Sequence, residues 1–186
     1  KFRWMSCINS FKLFKIKQMK KILNLFIFVT IFSVAANAQS DYKSGIGLRF
    51  GGYYDLVSAS YKTFISEQGA IELNLGFRNY SFGGFSSYNW FVLSASGAYQ
   101  HHFDIKPVPG LKWFVGGGLT AYNSFSDFDA TSGFGLAIFP TAGVDYKFAS
   151  IPLNVSVDTR PTVNIIRADY YSGFYFSGGV AARYTF

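Results

Sequence analysis

His101 and His102 are the only histidines in this chain of 186 residues. Neighbouring residues of an extended strand point to opposite faces, so the two rings cannot ligate one metal from the same strand. An imidazole exchanges protons near neutral pH and could act as the base of an acyl transfer. The pair reads better as interfacial polar residues at the end of a strand. Asp127, Asp129 and Gly133 have a calcium-loop flavour, but the glycine comes one position late and Ile138 stands where a closing carboxylate belongs. That run reads as an Asp-rich surface loop. No P-loop, nucleophile elbow or paired-carboxylate signature occurs. Cys7 is the single cysteine, which excludes a disulfide framework and a cysteine zinc site. The expectation is a protein with no catalytic residue, no metal and no cofactor, and not an enzyme.

The net charge of +7 suggests a nucleic-acid binder until the charges are placed. Residues 1–38 hold seven basic and no acidic residues, and residues 39–186 hold ten of each. The basic excess therefore belongs to the leader, and no nucleic-acid partner is expected. Met19-Lys20-Lys21 precedes the apolar stretch Ile22–Val34, shorter than the ~20 residues of a membrane-spanning helix. Ala36 and Ala38 then supply small residues at −3 and −1 before Gln39, as in a cleavable signal peptide. Residues 1–18 read as an upstream extension that is not native, 19–38 as the signal peptide and 39–186 as one domain. With 49% hydrophobic, 20% aromatic and 15% charged residues over its whole length, the chain does not have the composition of a disordered one.

From Gln39 onward no apolar run exceeds four residues, and period two dominates instead. Ile71, Leu73, Leu75 and Phe77 share one face, against Glu72, Asn74, Gly76 and Arg78. The same alternation marks eight strands near 44–53, 56–64, 69–80, 90–103, 111–122, 134–148, 152–161 and 173–186. The turns near 67–69, 104–110 and 149–152 are short. Ser81–Asn89, Asn123–Gly133 and Pro161–Ser172 read as longer loops. Short turns on one rim and long loops on the other fit an all-β, eight-stranded antiparallel up-and-down transmembrane barrel in an outer membrane. Both termini then lie on the short-turn, periplasmic rim, with His101 and His102 near it. Pro140 falls mid-strand, so a β-bulge is expected near Phe139-Pro140, with a possible swap of faces beyond it.

Alternation also fits a soluble barrel with its apolar face inward. Three features favour the membrane. The polar face is rich in Gly, Ser, Ala and Thr, which suits a narrow lumen. Aromatics such as Tyr61 and Phe64, Tyr99 and Phe103, and Tyr146 and Phe148 gather at strand ends, where Tyr and Trp prefer the headgroup level. The chain finishes on a strand with a terminal Phe. The lumen would then hold Arg49, Lys62, Glu72, Arg78, Lys112, Asp145, Lys147, Asp158, Arg160 and Arg183, seven bases against three acids. Charges in so narrow a bore must pair. Asp158 should meet Arg160 or Arg49, and Asp145 or Glu72 should meet Lys112, Lys147 or Arg183. The preferred reading is an ion-paired plug, and the alternative an anion-selective pore. The loop aromatics Phe82, Phe85, Tyr88, Phe125, Phe128, Tyr170 and Tyr171 form a surface for contact, or fold over the barrel mouth.

The signal peptide, the eight strands and the final Tyr184-Thr185-Phe186 resemble the small outer-membrane β-barrels of the OmpA-domain and OmpX type. The resemblance covers about 39–186 and is one of pattern. It implies that Tyr184 and Phe186 form the assembly signal read by the outer-membrane insertion machinery. The glycine usual five positions before that Phe is replaced by Ala181. It also implies a lipid bilayer with lipopolysaccharide as surroundings and a structural or adhesive role. A small solute-conducting porin is second, and an outer-leaflet lipid-modifying enzyme third.

Overall fold

The computed structural model describes residues 42–82, 88–106, 108–126, 132–167 and 171–186, all within the compact unit that begins at Ala38. These residues form eight strands: β1 (Ser44–Phe50), β2 (Val57–Phe64), β3 (Gly69–Phe82), β4 (Tyr88–Asp104), β5 (Leu111–Ser126), β6 (Gly133–Lys147), β7 (Leu153–Ile166) and β8 (Phe174–Thr185). Each pairs antiparallel with the next, and β8 returns to β1 to close the barrel. The closing ladder runs from Gly45↔Thr185 to Phe50↔Val180. It is extended by Ser44 N donating to Phe186 O at 2.9 Å and Phe186 N to Ser44 O at 2.8 Å. Closure leaves no edge strand, so every strand finds backbone partners on both sides. No helix among the described residues is long and apolar enough to cross a membrane.

The period-two pattern sorts side chains as a barrel requires. Along β6, Gly135, Ala137, Phe139, Thr141 and Asp145 are buried, while Phe134, Ile138, Pro140, Ala142 and Val144 are exposed. Ile46, Leu48, Leu73, Leu75, Leu119, Val157 and Val180 likewise face outward and exposed. The fully buried positions include Arg49, Lys62, Glu72, Gln100, His102, Asn154 and Arg183, with Phe114, Tyr122 and Tyr171 among them. This barrel is apolar outside and charged inside.

Three expectations are corrected. The loops on the rim opposite the termini are shorter than the sequence suggested, because their flanks stay paired. The β3–β4 ladder runs out to Phe82↔Tyr88, and β5 reaches Ser126. Phe82, Tyr88 and Phe125 are therefore strand residues. The bulge is also displaced. Leu136 pairs with Ile166 and Ala137 with Asn164, so Ile165 on β7 is the extra residue. At Pro140 the register holds and no face swaps. The β6–β7 ladder skips from Ile138↔Val163 to Ala142↔Thr159, and continuing it from either side sets Pro140 opposite Pro161. Each proline lacks the N–H that the other's carbonyl would accept, so the rungs lapse while the strands stay aligned. Finally, Phe64 turns inward. Its ring packs 4.9 Å from His102 and 5.2 Å from Tyr42.

Candidate functional site

Alternation delivers the charged side chains into the lumen from β1, β2, β3, β6, β7 and β8, and there they join hand to hand. Arg49 grips Asp158 with two bonds, Nη2 to Oδ1 at 2.7 Å and Nε to Oδ2 at 3.2 Å. Arg160 Nε donates to Asp158 Oδ1 at 2.9 Å, and its Nη2 reaches Glu72 Oε1 at 2.6 Å. Arg183 Nη2 lies 3.0 Å from Glu72 Oε2. Arg183 also donates to Ser60 Oγ at 2.9 Å and Ser156 Oγ at 2.8 Å. Asn74 and Gln100 donate their amide N–H groups to Glu72 at 2.9 and 2.8 Å. Burying an ion is expensive unless it is paired and its remaining sites are bonded. Here each carboxylate is shared between two guanidinium groups, and hydroxyls and amides take up much of the rest.

Toward the short-turn rim a second cluster begins. Lys62 bonds Asp145, and Asn154 donates to the same carboxylate. His102 is buried here, with Nε2 2.9 Å from Lys62 Nζ and 3.4 Å from Asp145 Oδ2. The expectation of two interfacial histidines fails for His102, because its parity on β4 turns it into the lumen. His101 faces outward beside Tyr99 and Phe103. Tyr42 donates to Asp145 Oδ2 at 3.4 Å, and burial pushes its hydroxyl well above the usual tyrosine range. Below the cluster lies a cavity of about 370 Å³ lined by Tyr42, Phe64, Gln68, His102, Lys112, Asp145 and Lys147, among others. Lys112 pairs with Asp104 at 3.4 Å, and Lys147 Nζ donates to the carbonyls of Phe148 and Ile151.

The other mouth is closed by tyrosines. Tyr54 stacks on Tyr122 with centroids 4.1 Å apart, and Tyr53 stacks on Tyr175 at 3.4 Å. Tyr171 fits edge-on or tilted among Tyr53, Tyr122 and Trp90. Tyr54 and Tyr122 both donate to Asn164 Oδ1. Burial raises the hydroxyl of Tyr54 well above its ordinary value. Tyr171, one of the loop aromatics expected either on a contact surface or folded over the mouth, is 2% exposed and takes the second place, in this plug. Arg78 donates to the carbonyls of Gly52 and Tyr53 beside it, at 2.9 and 3.1 Å. Burial also pushes the Asp55 carboxyl above its usual range, against the pull of Arg49, whose Nη1 lies 3.9 Å away.

Sequence reasoning missed the inward aromatics Tyr54, Phe114, Tyr122 and Phe139. A usable signal was present in the glycines across from them. Phe114 pairs with Gly143, Phe139 with Gly118 and Tyr122 with Gly135. A Cβ at those glycines would meet the aromatic ring at 2.7, 2.7 and 2.0 Å. Each glycine leaves room for a ring on the next strand.

Tyr184 is half-buried and Phe186 exposed, at the seam between β8 and β1. Ala36, Ala38 and Gln39, together with Phe85, Phe128, Tyr170 and the acidic run at 127–131, lie outside the described residues. Among the described residues no group of three or more His, Cys, Asp or Glu is placed to hold a metal.

An eight-stranded closed barrel with an apolar exterior and a charged, packed interior is a membrane-spanning β-barrel. Its outer surface satisfies hydrocarbon, and closure gives every strand a pairing partner on both sides. No protein-family model matches the chain, and no curated protein sequence matches it. Among solved structures it is similar to CarO of Acinetobacter baumannii at 10% identity, covering 76% of this chain and 97% of that one with a TM-score of 0.44. It is similar to Neisserial surface protein A at 14% identity, covering 81% and 100%, TM-score 0.45. It is similar also to Ail, the attachment invasion locus protein of Yersinia pestis, at 13% identity, covering 78% and 99%, TM-score 0.45.

Proposed function

We propose that this chain is an integral outer-membrane barrel with a structural or adhesive role, not a conduit. The observation that carries the reading is the filling of the bore. The tyrosine plug at one mouth, the Arg49–Asp158–Arg160–Glu72–Arg183 chain in the middle and the Lys62–Asp145 pair below it occupy the lumen in sequence. Eight strands give an interior that side chains can fill, and here long ones do. What remains for contact is the rim carried by the extended strands β3, β4, β5 and β7.

On this reading residues 19–38 direct export and are cleaved before Gln39. The bilayer and its lipopolysaccharide meet the apolar belt, and the insertion machinery meets Tyr184 and Phe186. Aromatic pairs such as Phe103 with Trp113, stacked at 4.3 Å, and Tyr146 with Phe148, at 4.7 Å, suit a headgroup girdle. The test is single-channel recording in planar bilayers. The refolded barrel should give no steady unitary conductance at neutral pH. A long-lived open level with a reproducible conductance would transfer the protein to the small-porin reading.

A further inference from the structure

We infer that Lys62, His102 and Asp145 form a proton-operated latch at the short-turn end of the lumen. The geometry assigns the resting state of the imidazole. Lys62 is fully buried and touches both partners, bonded to Asp145 and 2.9 Å from His102 Nε2. An ammonium has only donors, so Nε2 must offer a lone pair. The ring proton then sits on Nδ1, which faces the carbonyl of Gln68 at 3.3 Å. The backbone holds that arrangement, because His102 N also donates to Gln68 O at 2.7 Å. Neutral His102 thus keeps Lys62 on Asp145.

A proton added at Nε2 would set two cations 2.9 Å apart in a buried site, and that pairing does not persist. Asp145 Oδ2 lies 3.4 Å from Nε2 and can accept the new N–H. Lys62 is the partner free to leave, since its stem is flexible and the cavity of about 370 Å³ opens beside His102 and Asp145. The ring of Phe64, 5.8 Å from Nζ, lines that cavity, and the ring of Phe114 lies 5.0 Å from Nζ. The cavity also gives the proton its entry, because His102 lines it. Protonation therefore exchanges the lysine for the histidine on one carboxylate and loosens the lower end of the plug.

Other charged and titratable groups face this site from every side. They are Tyr42 before β1, Glu67 in the β2–β3 turn, Glu72 on β3, Asp104 on β4, Lys112 on β5, Lys147 on β6 and Arg183 on β8. Burial raises the Asp55 carboxyl at the opposite mouth above its usual range, so its titration favours the fold as pH falls and acts with the opposite sign.

The experiment measures urea-unfolding rates in lipid vesicles at pH 8 and pH 5. Wild type and His101→Gln should unfold at least about ten times faster at pH 5, while His102→Gln, whose amide oxygen can still accept from Lys62, should show little change. Nitrogen NMR of histidine-labelled wild type supplies a second readout that needs no variant. At pH 8 it should report His102 neutral with its proton on Nδ1. A pH-independent wild-type rate, a pH response that survives in His102→Gln, or a proton on Nε2 at pH 8 would each overturn the latch.

Discussion

The ring of Tyr122 on β5 lies against Gly135, its cross-strand partner on β6, so closely that a Cβ there would sit 2.0 Å from ring carbon Cζ. The ring is held in place by Tyr54 stacked on it and by Asn164 at its hydroxyl. Gly135→Ala should therefore cost about 1–3 kcal/mol through overpacking. Gly97→Ala is the control, because its Cβ would point outward and meet only Leu73 Cδ2 at 3.4 Å. That change should be neutral or slightly stabilising. Urea titrations of both variants in lipid vesicles check the contrast, and equal losses would remove the glycine-and-ring account of the lumen.

Pro140 and Pro161 give a second expectation. Restoring one N–H with Pro161→Val allows a new bond to the carbonyl of Pro140, worth about 1 kcal/mol. The unfolded chain gains freedom when proline is lost, which offsets about 0.4–1 kcal/mol of that. Net stability should hardly move, so hydrogen exchange is the decisive measurement. The amide of the new valine should be as protected as its neighbours. Rapid exchange there would mean that the strands are splayed, not merely unbonded, at the two prolines.

How much of this was legible in the sequence follows from what alternation encodes. Period two fixes parity, and parity alone assigns Leu75 outward and Glu72 inward on β3. It also turns His102 inward, a consequence obscured by reading His101 and His102 as one polar pair at a strand end. Parity does not say which inward charges meet. Asp145 finds Lys62, from a strand distant in sequence, because closure brings β2 and β6 across the same bore. Nor does it mark where a strand stops. Ser81 and Ser126 read as loop residues, yet Ser81 pairs with Asn89 in a ladder that runs on to Phe82, and Ser126 closes the β4–β5 ladder opposite Trp90. The bulge at Ile165 was invisible for a related reason. Proline advertises a broken bond, whereas an extra residue on one strand shows only in the pairing.

Asp158 is shared by Arg49 and Arg160 and is 5% exposed. Asp158→Ala leaves two buried guanidinium groups facing each other, and breaking a buried ion pair in this way costs about 3–5 kcal/mol. Arg49 keeps the Gly51 carbonyl at 2.7 Å, and Arg160 keeps Glu72. The barrel should still fold in detergent but with a lower urea midpoint. A midpoint unchanged within error would mean that water already satisfies these groups.

Asp55 carries a pH dependence whose sign can be worked out. Burial raises its folded pKa above the unfolded value, with Arg49 opposing. The folded state therefore binds more protons than the unfolded chain between the two values, and stability falls as pH rises through that window. Above it, the cost of the buried charge is fully present. Asp55→Asn removes the charge and the titration together. Relative to wild type, the variant should look best at neutral pH and lose that advantage as pH drops toward about 4, the unfolded carboxylate value. Paired unfolding curves across this range read the difference directly, and an advantage that grows on acidification would reverse the assignment.

The outward and inward faces can be separated by placing one charge on each. Leu75 is 66% exposed and Val157 is 47% exposed, both on the belt that meets hydrocarbon. A lysine at either should cost about 2–4 kcal/mol near the bilayer midplane and less near an interface. Gly76 and Ser156 sit one residue away on the opposite face. A Cβ at Gly76 would meet Asp55 Cβ and Ser58 Cβ at 2.6 Å, and Ser156 is 1% exposed beside Arg183. Lysine at these two should fail by steric and like-charge conflict, whatever surrounds the barrel. The solvent distinguishes the pairs. Moving from a thick to a thin bilayer should relieve Leu75→Lys and Val157→Lys, because the charge then lies nearer water, and leave Gly76→Lys and Ser156→Lys unchanged. If all four responded alike to bilayer thickness, the division of β3 and β7 into a lipid face and a lumen face would be wrong.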